Sequence, residues 1–421
     1  SILPISRGGY VISDFETFKD FESKDPTPIK IDFPNYLESI KHDNITNMQI
    51  PSTSTPLVST TPRMISYRHQ EHMWQTSDGA IHLFISQGTM DQEFDSLVLF
   101  SSFDNGQSWN EMLSLAGSSD ISTSDGFLSG NELFVSYNNS DGEIMVVNLL
   151  YDETSGSWQT LREEIAFSAV NYKGMNPTIA FDDQGRLWCA FVIRQIGTLM
   201  WKIKIIQKDD EFSDWQNTAV DLDTVTISKS PEKSVRLIST KNGIGIVYTS
   251  LENIKWAYLA NECPTNDCQW DEEILFTRQP PYPTDPYMSH FSTVVDELEN
   301  IHLVAVDQGR LIYIQYDNAM QAWLSSNILT PNLHSGYVQL TVAQNQLFVF
   351  FNVFSSICLL RSNDHGNSFK FTDYLIHPRD RNDYSYPRME TPGIAGSVIP
   401  VVQQYLDGAT QRLLYFYITI D

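Results

Sequence analysis

Short apolar runs separated by turn residues dominate the chain, and within them β-branched and aromatic side chains alternate with little helical periodicity. Three stretches show the unit plainly: PTIAFDDQGRLWCAFV (Pro177 to Val192), VRLISTKNGIGIVYT (Val235 to Thr249) and FSTVVDELENIHLVAV (Phe291 to Val306). Each reads as strand, tight turn, strand. Asp78-Gly79, Gln184-Gly185 and Asn242-Gly243 are hairpin signals, because glycine takes up positive φ without a Cβ clash.

A second unit follows: an apolar strand, a turn rich in Asp, Gly, Ser and Asn, then an aromatic residue opening another strand. It ends at Trp109 (FSSFDNGQSW), Trp158 (LLYDETSGSW), Trp215 (QKDDEFSDW), Trp270 (CPTNDCQW), Trp323 (QYDNAMQAW) and Phe369 (RSNDHGNSF). The intervals between these aromatics run from 46 to 57 residues, the period of a four-stranded propeller blade with loops of varying length. The pattern predicts an all-β, seven-bladed β-propeller of four-stranded antiparallel blades over residues 61–421. The seventh repeat, from Tyr386 to Asp421, has three strands and no closing aromatic turn. Residues 1–60 are expected to supply its fourth strand from within Gly8 to Ile50, with GGYVISDF and KIDF as candidates. Such closure removes an exposed sheet edge. The competing architecture has six blades and an appended β segment.

Composition narrows the class. With 421 residues, 41% hydrophobic and 12% aromatic, the chain can bury a large core. Its 52 acidic against 27 basic residues give a net charge of −25, which repels phosphate backbones and anionic lipid. Neither nucleic acid nor membrane insertion is therefore expected. No apolar run is long enough to span a bilayer as a helix. The opening residues Ser1-Ile-Leu-Pro carry no leader pattern, so any secretion signal is expected to have been removed already. Sequons at Asn44-Ile-Thr and Asn138-Asn-Ser are a weak pointer to a secreted or cell-surface protein. Cys189 and Cys358 fall inside apolar strands as buried thiols, while Cys263 and Cys268 flank a short turn and could close it. No neighbouring His or Cys pair completes a zinc set, and no cofactor is expected.

Two of the turns carry more than hairpin chemistry. Ser102-Phe-Asp104-Asn-Gly106-Gln-Ser108-Trp109 and Ser362-Asn-Asp364-His-Gly366-Asn-Ser368-Phe369 share one form. In it the Asp carboxylate is expected to accept backbone N–H bonds across the turn, Gly to take positive φ, and the aromatic to plug the space between sheets. This form resembles the Asp box of sialidases and related propellers. The resemblance implies the propeller fold and assigns Asp104 and Asp364 to structure. It would nominate Arg63 or Arg68, an acidic loop residue at Asp91 or Asp95, and Glu232 beside a tyrosine nucleophile. The second arginine of a sialidase's carboxylate clamp has no counterpart, since that position reads Ile-Val-Tyr248. The resemblance therefore extends to the fold and not to the sialidase reaction.

In a propeller, unlike side chains meet where the innermost strands begin. The densest run of catalytic residue types is Arg68-His69-Gln70-Glu71-His72; on a strand, Arg68, Gln70 and His72 would share one face and His69 and Glu71 the other. Catalytic roles fall to His72, Glu232 and Tyr386. Arg68, His69, Lys173 and Arg236 are expected to bind substrate together with His290, Tyr337 and Arg388, and Trp74 or Tyr337 to stack on sugar faces. His69 and His72 are three apart, a spacing for helices rather than strands, so no metal site is expected. The inventory suits an extracellular glycan-active enzyme with one site at the axial mouth. Glu232 with Tyr386 would serve a glycosidase, and His72 with Tyr386 a polysaccharide lyase. The alternatives are a non-catalytic carbohydrate-binding or scaffold propeller, or a biosynthetic enzyme for small molecules on the same fold. Strand starts that differ from blade to blade favour one unique site over a repeated lectin site.

Overall fold

The structure of the chain, a computed structural model, describes residues 2–5, 9–12, 46–49, 57–60, 64–65, 69–88, 96–117, 124–198, 200–210, 213–217, 222–226, 234–250, 252–261, 269–278, 291–330, 335–353, 356–376, 388–407 and 410–420. Each repeat becomes one antiparallel sheet with strands in the order A-B-C-D. The A strands of successive blades pack side by side, which makes a seven-bladed β-propeller; among the described residues there is no helix. Strand A is Met73–Gln75 in blade 1, Ser124–Ser129 in blade 2, Tyr172–Phe181 in blade 3 and Val235–Thr240 in blade 4. It is Phe291–Val295, Ser335–Ala343 and Arg388–Glu390 in blades 5, 6 and 7.

The hydrophobic pattern follows from position in the blade. Strand B is sandwiched between neighbouring sheets, so Gly243–Thr249 and Ile301–Asp307 are buried at every residue. Strand D forms the outer rim, and Asp271–Thr277 is mostly exposed. The closing aromatics bridge the gaps between blades, each touching the blade before its own. Trp109 meets Tyr415 of blade 7 edge-on at 5.8 Å, and Trp158 meets His82 of blade 1 at 4.9 Å. Trp215 donates to Glu164 of blade 2 at 3.0 Å. Trp270 packs on Trp188, Trp323 on Trp256 and Phe369 on Tyr313. Six repeats thus use one device, and its aromatic requirement is why the period is visible in the sequence.

The two Ser-x-Asp-x-Gly turns share one hydrogen-bond pattern. Ser108 N and Ser368 N each donate to the turn Asp at 2.9 Å, and the Ser108 and Ser368 hydroxyls do so at 2.6 Å. These bonds, that from the Ser368 hydroxyl first, hold the Asp364 carboxyl below its usual range. Gly106 sits at φ +77°, where a Cβ would lie 2.1 Å from the Tyr415 ring. Gly106→Ala therefore meets both backbone strain and an overlap, and is expected to cost about 2–4 kcal/mol in thermal or denaturant unfolding. Gly185→Ala, at φ +80° with nothing within 4 Å, serves as the control and should cost about 1 kcal/mol. Equal losses would show that the Tyr415 contact is not tight. Gly243 differs from the expected hairpin glycines: it lies outside the positive-φ set and instead lets the Leu259 carbonyl approach to 2.2 Å of where a Cβ would be.

Blade 7 is completed from the other end of the chain. Its strand C, Thr410–Ile420, pairs antiparallel with Thr46–Gln49 over one half and with Leu57–Ser59 over the other. Thr46–Gln49 falls within the expected stretch from Gly8 to Ile50, though it is neither of the two segments named there. Gly9–Ile12 of GGYVISDF pairs with Ile2–Ile5 in a separate hairpin, and KIDF lies outside the described residues. Cys189 and Cys358 are buried free thiols, and burial pushes the Cys358 thiol up to about 12. Cys263 and Cys268 lie outside the described residues. Asn138 is 4% exposed within strand B of blade 2, so its sequon offers no surface for a glycan in the folded protein; Asn44 lies outside the described residues.

Candidate functional site

The run His69–His72 does not obey strand alternation, because strand A of blade 1 begins only at Met73. Instead its four residues cross the middle of the ring, each reaching a different blade. The His69 ring stacks on Phe291 of blade 5, with centroids 5.2 Å apart and planes at 19°. Gln70 Nε2 donates to the Pro177 carbonyl of blade 3 at 2.8 Å. Glu71 Oε2 accepts from Arg236 Nη2 of blade 4 at 3.3 Å. His72 Nδ1 lies 3.0 Å from Glu390 Oε2 of blade 7.

Asp125, the second residue of strand A in blade 2, is the hub beneath this crossing. It is fully buried, and an unpaired buried carboxylate would cost several kcal/mol. It accepts from Glu71 N at 2.8 Å, Thr178 Oγ1 at 2.7 Å and Ile179 N at 3.1 Å, and it is ion-paired with Arg236 Nη1. Blades 1 to 4 thus converge on one carboxylate. Gly126 beside it is needed for a different reason: a Cβ there would meet the Trp74 ring at 2.4 Å. Trp74 is accordingly 3% exposed, and its expected place as a sugar platform is corrected to a core one.

Glu71 is the electrostatically tuned member. Burial pushes its carboxyl up to about 7; Arg236 and the Gly393 N–H, 3.1 Å from Oε1, pull the other way, and the charges of Asp125 and Glu390 push it further up. Its side chain remains 23% exposed. A second polar chain runs through blades 5 to 7. Glu390 Oε2 also lies 3.5 Å from Gln339 Nε2, and Ser292 Oγ donates to Gln339 Oε1 at 3.3 Å while accepting from Leu340 N at 3.0 Å. The other nitrogen of the His72 ring is Nε2. That atom and Glu390 Oε1 have no hydrogen-bond partner among the described residues, although both side chains are almost wholly buried.

The other expected residues scatter. Arg388 lies over the Tyr337 ring at 5.9 Å and donates to the Ile65 carbonyl at 3.2 Å, forming a pair between blades 6 and 7. Lys173 is exposed; its stem is the nearest neighbour of Gly142 in blade 2, five positions before Thr178 and apart from the network. Arg68, Glu232, His290 and Tyr386 lie outside the described residues, as do Arg63, Asp91 and Asp95. Sequence reasoning assigned no role to Glu71, Asp125 or Glu390. The signal available was register: Asp125, Arg236 and Ser292 each stand second in their A strands, so polar groups recur at one level around the axis. On the opposite face, Asp296, Glu297 and His365 form a group of metal-ligand types, but Asp296 Oδ2 is already engaged by Asn300 and His302.

No family model matches this chain, and no curated protein matches it. Solved structures do. The polysaccharide lyase Uly1 is similar at a TM-score of 0.51 with 10% identity, over 89% of this chain and 98% of that one. The Trypanosoma rangeli sialidase in complex with sialic acid has 14% identity and a TM-score of 0.49, over 90% of this chain and 57% of the sialidase. The Penicillium chrysogenum α-L-arabinanase complexed with arabinobiose has 13% identity and a TM-score of 0.44, over 76% and 98%. At these identities what the chain shares with the lyase is the propeller fold.

Proposed function

We propose that the chain is a carbohydrate-active hydrolase with its site at the axial mouth and Glu71 as the general acid–base. One observation carries the reading: a partly exposed carboxyl at the axial crossing, bonded to Arg236 and set beside Asp125 and Glu390, which burial pushes up to about 7. A general acid must be protonated at working pH to meet a departing glycosidic oxygen, and burial among other carboxylates is the usual way to achieve this. Hydrolysis also needs a partner that attacks the anomeric carbon or activates water, the role expected of Glu232 with Tyr386. Among the described residues the Arg236 guanidinium at this crossing is already paired with Asp125 and bonded to Glu71, so it is not available to a uronate. A neutral glycan suits this balance better, which favours hydrolysis over the elimination expected of a lyase. The expected extracellular location belongs to the same proposal.

The near-complete burial of His72 and Glu390 favours a second reading, a propeller that binds sugar without cleaving it. The two separate in one assay. The protein is incubated with a panel of neutral polysaccharides across pH, and new reducing ends are measured. Release with a basic limb near pH 7 is expected. Unsaturated products from a polyuronate would replace hydrolysis by elimination, and binding with no new ends would select the non-catalytic propeller.

A further inference from the structure

The A–B and C–D turns lie on the face opposite the axial mouth, and there a cleft of about 260 Å³ separates blades 4 and 5. Its floor is aromatic. Trp256 and Tyr258, on strand C of blade 4, lie nearly parallel at 13° with centroids 6.4 Å apart, and Tyr316 of blade 5 extends the floor 6.3 Å from Trp256. Gly245 makes room for it, since a Cβ there would come within 1.8 Å of the Trp256 ring. The rim is polar, with Asp183, Lys241, Asn242, Glu299, Asn318 and Gln321.

Glu299 stands where blades 1 and 3 place glycine, and Gln321 where blade 2 does. Thr76, Asp182 and Asp296 open equivalent A–B turns, each bonding a ring six positions later: His82, Trp188 and His302. Three positions after the opener come Gly79 at φ +85° and Gly185 at φ +80°, but Glu299 at φ +63°. In the C–D turns, two positions before the closing aromatic, blade 2 has Gly156 at φ +63°, whereas blade 5 has Gln321 at φ +54°. A left-handed φ is sterically unfavourable for any residue with a Cβ, so folding alone favours glycine at both places. The two strained side chains also belong to one group. Asn318 Nδ2 donates to Glu299 Oε2 at 3.1 Å, and Gln321 Nε2 donates to Asn318 Oδ1 at 2.9 Å. Non-glycine residues at positive φ occur in other turns as well, such as Asn105, Asn345 and His365; what sets Glu299 and Gln321 apart is that both line one cleft and are joined through Asn318.

We infer that this cleft is a second, non-catalytic carbohydrate site that takes a neutral pyranose unit. The C–H face of a sugar ring matches the aromatic floor, and its hydroxyls match a rim of carboxylate and amide groups that both donate and accept. The cleft stands apart from the axial mouth, so the inference holds whether or not that mouth is catalytic.

The test titrates the full chain with neutral di- and trisaccharides of gluco, galacto, manno, xylo and arabino configuration, followed by tryptophan fluorescence. A saturable change is expected with at least one of them, both in the parent and in Glu71→Gln, which cannot consume the sugar. Glu299→Gly should weaken that binding by about tenfold or more while keeping or raising the thermal midpoint, because glycine fits the backbone better. Tyr258→Ala should weaken it too. Three results overturn the inference: no sugar binds at millimolar concentration, Glu299→Gly binds as the parent does, or Glu71→Gln abolishes the signal.

Discussion

Arg236→Met is expected to lower the free energy of unfolding by about 3–5 kcal/mol, because it strips from the fully buried Asp125 the one guanidinium bonded to it among the described residues. Methionine roughly preserves the length of the side chain, so lost packing contributes little. Asp125 keeps its three neutral donors, but these do not neutralise a charge with no access to water. The same reasoning predicts rescue. In Arg236→Met/Asp125→Asn neither partner is left charged, and most of the lost stability should return, giving a large coupling energy in a double-mutant cycle. Denaturant unfolding of the four proteins measures this. A single-variant loss below about 1 kcal/mol would mean that Asp125 is hydrated or protonated in the native protein.

Glu71→Gln is expected to reduce turnover of a cleaved neutral polysaccharide by about 10²–10⁴-fold and to erase the basic limb of the pH profile. Its effect on stability has the opposite sign. The folded carboxyl titrates at about 7 instead of its ordinary 4.5, so between these values the folded protein holds a proton that the unfolded chain has lost. Stability contributed by the protonated form is therefore complete below about pH 4.5, declines through the window, and is gone above about pH 7. Glutamine carries no such titration. The variant should be as stable as the parent in acid and at least as stable at pH 8, while inactive at both. A variant that keeps its activity and its pH profile would remove Glu71 from the chemistry.

The architecture was legible because propeller physics imposes a visible constraint at a fixed place. Each closing aromatic must fill the wedge to the preceding sheet, so Trp109, Trp158, Trp215, Trp270, Trp323 and Phe369 mark the period themselves. Thr46–Gln49 was obscure for the converse reason: an outer-rim strand is recognised by its partner's backbone, and TNMQ shows no apolar alternation. The axial run stands out by its density of His, Arg and Glu, but its geometry is not that of a strand. Alternation holds only within a strand, and His69–His72 precede one. Asp125 hides in a segment that reads as an ordinary inner strand. Its role depends on Arg236, 111 positions later, and no local pattern encodes that meeting.

The seam in blade 7 has a consequence for how the chain is made. Thr46 and its partner Ile420 are 374 positions apart, so at ordinary rates of synthesis the first waits roughly 20–75 s on the ribosome for the second. Until then the nascent wheel has a gap, and blade 1 is held on one flank only. Pairing of Thr46–Gln49 with Thr410–Ile420, rather than collapse of any single sheet, is the event that locks the rim. A chaperone or a stray copy of the same strand has that interval in which to intervene.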